Sequence, residues 1–129
     1  MFYRDSIKED DLFYHKLGLS DTDEYIVVNR FYSYRPQPKR YTGIRIKDKD
    51  RNLRVVEPFP SANFTLFDWC KVFERAKSIY MVSTSFTFML ESPLMFDSMK
   101  DKGLYLYSRS NTFEDYNEMF KLPWEHVKA

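Results

Sequence analysis

Asn63-Phe64-Thr65-Leu66-Phe67-Asp68-Trp69, then Ser78-Ile79-Tyr80-Met81-Val82, then Ser83-Thr84-Ser85-Phe86 running on to Glu91: this stretch decides the fold. Apolar residues at Leu66, Trp69, Cys70, Phe73 and Ala76 keep the i, i+3, i+4, i+7 spacing of one buried helical stripe, while Lys71, Glu74, Arg75 and Lys77 mostly face out. Thr65 is placed to cap that helix, with Asp68 three residues on as a variant of the capping box. Ser78–Val82 is a short apolar run of the kind that is buried on both faces of a parallel sheet. Thr84 or Ser85 then caps a second helix through Glu91, which Pro93 ends. The order is helix, strand, hydroxyl-rich turn, helix.

The same alternation extends in both directions. Tyr25-Ile26-Val27-Val28-Asn29-Arg30-Phe31 reads as a buried strand, and Leu53-Arg54-Val55-Val56-Glu57 as another, stopped by Pro58 and Pro60. Gly103–Tyr107 is a fourth strand. Asn111 with Glu114 forms a capping box for a last helix to about Lys121, with Pro123-Trp124 beyond it. Strands alternating with helices predict an α/β domain: a Rossmann-like parallel sheet with helices on both faces. It is expected over residues 25–129, preceded by an acidic segment at 1–24.

Composition narrows the chemistry. The chain has 129 residues, enough for one real core. Only three Gly are present, so neither a GxGxxG fingerprint nor a Walker loop can be written. The single cysteine, Cys70, forms no internal disulfide and sits on the buried helical stripe, where a core role outweighs a nucleophilic one. His15 and His126 lack the local acidic spacing of a metal site and read as surface residues. No signal peptide and no membrane-length apolar run is seen, so a cytoplasmic, reducing setting is expected. Charge is uneven: the formal net charge is +1, yet residues 30–54 carry nine basic side chains against two acidic ones. That block reads either as a solvated hairpin or as an anion-facing surface.

Ligands of parallel sheets bind at the carboxyl ends of the strands. Those ends are Asn29-Arg30, Glu57 to Phe59, Ser83 to Ser85, and Ser108-Arg109, and all four carry polar or charged residues. Ser83-Thr84-Ser85 at a helix start suits a phosphate, through free N–H groups and the dipole; the same residues serve equally as an ordinary helix cap. Glu91 is a candidate ligand-side carboxylate or a solvated helix residue.

Several motifs together resemble the C-terminal, donor-binding half of a GT-B type glycosyltransferase of the bacterial and phage sort. They are Phe2-Tyr3-Arg4-Asp5, Tyr25-Ile26-Val27-Val28, Leu66-Phe67-Asp68-Trp69 leading to Glu74-Arg75-Ala76, and Ile79-Tyr80-Met81-Val82-Ser83-Thr84-Ser85-Phe86 followed by Leu90-Glu91. The resemblance implies a nucleotide sugar as donor ligand and no metal or other cofactor. It places Ser83, Thr84 and Ser85 at the diphosphate, Glu91 near the ribose or behind the phosphate turn, and Phe59 and Phe64 near the base, with Arg45 or Arg30 supplying positive charge. It assigns no catalytic residue. A full enzyme of this kind has a second domain, each of ~100–200 residues, and this chain is too short for both. The expected function is donor binding in concert with a partner chain or as an oligomer. The alternative is a non-catalytic interaction module, such as a phage inhibitor or accessory protein, built on the same fold.

Aromatic residues interleaved with Arg over 25–41 mark Arg30, Tyr34, Arg35 and Tyr41 as a candidate protein interface. The same interleaving suits stacking on single-stranded nucleic acid. The expected partners rank as a protein or second copy first, a small ligand second, nucleic acid third, with no membrane.

Overall fold

Tyr25-Ile26-Val27-Val28-Asn29 forms a strand in which every residue is buried, the signature of a strand covered on both faces. In the computed structural model, which describes residues 14–20, 22–32, 39–40, 42–58, 69–82, 85–107 and 120–127, it lies inside a five-stranded sheet. The elements are β1 (Tyr25–Asn29), β2 (Phe31–Tyr32), β3 (Lys39–Arg40), β4 (Arg54–Val56), α1 (Cys70–Arg75), β5 (Ser78–Val82), α2 (Ser85–Glu91), α3 (Phe96–Met99), β6 (Gly103–Tyr107) and β7 (Glu125–Val127). The main sheet runs β4-β1-β5-β6-β7, and every neighbouring pair is parallel. The expected α/β parallel architecture is therefore the observed one. β2 and β3 form a separate antiparallel pair, Phe31 opposite Arg40 and Tyr32 opposite Lys39.

Side chains alternate across the sheet, as a strand period of two requires. Tyr25, Val27, Ile79, Met81, Leu104 and Leu106 face a large core with Trp69, Cys70 and Phe73 of the α1 region, Phe86, Met89 and Leu90 of α2, and Met95 and Met99. Tyr14 and Leu19, and Phe120, Leu122 and Trp124 near the other end, pack into that same core. Ile26, Val28, Tyr80, Val82, Tyr105 and Tyr107 face the opposite side, against Ile44, Ile46 and Leu53. The described helices all lie on the first face. On the second, the expectation of a helical layer gives way, among the described residues, to the segment 42–53, mostly irregular with one 3-10 turn at Asp48–Asp50. The handedness of parallel crossovers explains why this segment is there. The chain moves one way in the sheet from β1 to β4 and the other way from β4 to β5, so the two connections must cover opposite faces. Residues 44–47 do so by alternation, Ile44 and Ile46 inward, Arg45 and Lys47 outward.

Two glycines are required by geometry. Gly18 has φ +76, a left-handed conformation that ends the helical turn at 14–16, and its N–H donates to the His15 carbonyl. Gly103 lies opposite Ser78, and a Cβ there would stand 2.6 Å from Ser78 Oγ and 2.9 Å from Lys49 Nζ.

The strand β7 is absent from the sequence reading. It is three residues long, Glu-His-Val, and carries no apolar pattern of its own. Its pairing with β6 is held from elsewhere in the fold, as described below. α3, a four-residue helix, is likewise too short to show a period. No described helix is long and apolar enough to cross a membrane.

Tyr25 ties the sheet to α1: its hydroxyl donates to the Val72 carbonyl at 2.5 Å. Burial, reinforced by Tyr14 beside it, pushes the phenol far above the ordinary tyrosine pKa of ~10. The folded state thus keeps a proton that the unfolded chain gives up above about pH 10, so the stabilisation is intact below that pH and declines progressively as pH rises beyond it toward the raised folded-state pKa. Urea unfolding midpoints are expected to fall from about pH 9 to about pH 11. Tyr25→Phe, less stable at neutral pH for want of the Val72 bond, should show a shallower alkaline decline. An unchanged slope would remove Tyr25 as its source.

Candidate functional site

In chain order the five parallel strands stand 2-1-3-4-5 across the sheet, so the order reverses between β1 and β5. At such a reversal the connections leave the two strands toward opposite faces, and a crevice opens beyond their carboxyl ends. The described residues at that edge come from β1, β4, β5 and β6. Asn29, wholly buried, ends β1. Arg30 follows it and forms an ion pair with Glu57, the first residue past β4. From Val82, the last residue of β5, the sequence runs through Ser83 and Thr84 to Ser85, where α2 begins. Tyr107 ends β6, and its hydroxyl donates to the Arg45 carbonyl at 3.1 Å while the Arg45 N–H approaches that oxygen at 3.4 Å. Arg30 and Arg45 therefore both reach this edge of the sheet from the connection between β1 and β4, with the Arg45 side chain exposed.

Ser83, Thr84, Phe59, Phe64, Tyr34, Arg35 and Tyr41 lie outside the described residues, and Ser85 is placed only as the first residue of α2. Glu91 has a definite setting. Its carboxylate accepts the Lys121 N–H at 2.5 Å, the Leu122 N–H at 3.0 Å and the Trp124 indole Nε1–H at 2.7 Å. It is a clamp on the segment that leads into β7, a role with no local signal in the sequence because donor and acceptor are some thirty residues apart. His126 of β7 lies within its electrostatic reach: burial lowers the imidazole pKa and the Glu91 charge partly opposes that.

A second polar group, unanticipated from the sequence, sits on the sheet face away from the described helices. Asp50, wholly buried, accepts a hydrogen bond of 2.6 Å from the Tyr80 hydroxyl, and that hydroxyl accepts the Lys47 N–H at 3.0 Å. Tyr80 stacks on Tyr105 at 4.5 Å between ring centroids, and Lys47 and Lys49 lie 5.5 Å and 5.4 Å from the Tyr105 ring centre. Lys49 Nζ also donates to Ser78 Oγ at 3.3 Å and stands 3.7 Å from Asp50 Oδ2. A hydrogen-bonding interaction with the Tyr105 side chain first, then the Asp50 charge, outweigh partial burial and raise the Lys49 pKa. Burial first, then the bond to Asp50, raises that of Tyr80. These groups fasten residues 45–50 across the sheet in the direction opposite to the strands, from Tyr107 to Ser78.

Cys70 is fully buried, its thiol 3.9 Å from Met89 Sδ, as a core residue of the helical stripe should be. His15 is exposed, with Nδ1 3.3 Å from the Leu19 carbonyl. Among the described residues no group of three or more His, Cys, Asp or Glu is placed to hold a metal ion. Comparison of the chain with protein-family profiles, with curated proteins and with solved structures returns no match.

Proposed function

We propose that this domain binds a nucleotide sugar through its diphosphate, at the carboxyl edge of the sheet where the strand order reverses between β1 and β5. One observation carries the reading: the 2-1-3-4-5 order reverses between β1 and β5, and ligands of parallel sheets favour the crevice at such a reversal, here beside Asn29-Arg30 and the sequence that follows Val82. Two cationic residues, Arg30 and Arg45, belong to that edge, and Ser83-Thr84-Ser85 follows β5 in sequence with hydroxyls suited to phosphate oxygens. The resemblance of the sequence motifs to the donor half of GT-B glycosyltransferases supports a sugar donor as the source of the diphosphate. In this reading the acceptor and the catalytic base come from a second domain or chain, and this one holds the donor.

A second reading, a module that binds another protein or a second copy, is favoured by the β2–β3 ribbon. It stands apart from the main sheet, and its connecting residues include Tyr34 and Arg35. Two-stranded ribbons are marginal alone.

Isothermal titration with uridine, guanosine, adenosine and thymidine diphosphates and their sugar derivatives tests both readings when light scattering is run on the same samples. At least one nucleotide is expected to bind, with Ser85→Ala weakening it by about tenfold, the worth of one charge-assisted hydrogen bond. No binding to any of them, with stable self-association, would replace the first reading by the second.

A further inference from the structure

We infer that Glu57 is the built-in counter-ion of this anion site: it holds Arg30 while no ligand is bound, and a diphosphate takes its place. The inference rests on the donor-binding reading above. β1 and β4 are adjacent and parallel, with Val27 opposite Val56, so both chains leave the sheet side by side. Arg30 and Glu57 are the first residues beyond those ends, and their side chains pair there. The arginine side chain is 18% exposed and the glutamate 37%, so the cation is the more enclosed partner.

A largely enclosed guanidinium without a counter-ion is costly, and Glu57 removes that cost. The same carboxylate repels any anion that approaches Arg30. It thereby sets a threshold. A diphosphate carries at least two charges and four non-bridging oxygens across its adjacent phosphoryl groups and can displace one carboxylate from the guanidinium fork, whereas a singly charged ligand gains nothing over Glu57. The pair therefore selects for a diphosphate-class ligand over monoanions, and Glu57 acts through Arg30 rather than on the ligand.

The sign of one substitution tests this. Inorganic pyrophosphate and, separately, acetate are titrated into the full chain while the amide signals of Val28–Arg30 and Val56–Glu57 are followed by NMR. In the unmodified protein pyrophosphate is expected to shift these signals and acetate is not. Glu57→Gln should tighten pyrophosphate by about fivefold, the scale of a half-exposed ion pair, and let acetate bind; Arg30→Gln should abolish both. Glu57→Ser serves as a second neutral variant, and the dispersion of the amide spectrum reports that each is folded. If pyrophosphate binds the unmodified protein but neither Glu57 variant binds it more tightly, the inference falls and the donor-binding reading stands. If pyrophosphate moves no signal in any variant, both fall.

Discussion

Replacing Glu91 with alanine is expected to lower the unfolding free energy by about 3 kcal/mol, which for a domain of this size is a fall of roughly 10 °C in Tm. The carboxylate sits at the end of α2 and accepts three N–H groups of the segment that follows Phe120: two from the main chain and one from the Trp124 indole. Leu122 and Trp124 are buried in the core, so water does not readily replace the lost acceptor. Each hydrogen bond to a charged acceptor is worth about 1.5–3 kcal/mol, and three sharing one carboxylate give less than their sum. The effect should be local as well as global. Among the described residues β7 pairs with β6 alone, at the sheet edge, and it follows directly from the clamped segment. Hydrogen exchange in Glu91→Ala should therefore quicken first at β7 and Leu122. Glu91→Gln keeps one acceptor oxygen and should lose about half as much. A denaturation midpoint shifted by less than about 0.5 kcal/mol in Glu91→Ala would mean that the clamp contributes no more than an ordinary surface residue.

Tyr80→Phe is the second large effect, about 2 kcal/mol of lost stability. The ring would still stack on Tyr105 and fill the same volume, so the loss isolates the hydroxyl. That hydroxyl gives Asp50 its 2.6 Å hydrogen bond and accepts the Lys47 N–H, linking a buried charge to the main chain of the segment that covers this face. Without it, Asp50 keeps Lys49 at 3.7 Å but remains a buried carboxylate short of a donor. Asp50→Asn combined with Tyr80→Phe should cost less than the two single losses together, because the double variant leaves no buried charge unsatisfied. Strict additivity in chemical denaturation would show that the two groups do not act as a pair.

The strands and α2 were legible because their signals are local. Tyr25–Asn29 and Ser78–Val82 are apolar at nearly every position, which suits only a strand covered on both sides, and Ser85–Glu91 lies between hydroxyl and proline boundaries. The covering segment was not legible as a layer. Ile44 and Ile46 have no partner in sequence, and what fixes them is the direction in which the chain crosses from β1 to β4. The sequence also showed the polar residues that follow the buried strands, because each lies next to a strand end. It did not reveal that Glu57 would neutralise Arg30, or that Glu91, expected near the ribose or behind the phosphate turn, has its carboxylate engaged by the chain's own 121–124 segment.

What the amino-acid order determined by itself was the α/β class, the buried strands and the cationic character of the segment after β1, because each depends on residues within one helical turn or one strand. Only the tertiary structure decided the strand order, the addition of β7 and the pairing of each charge. Those outcomes depend on which distant elements share an edge, and no periodicity carries that information.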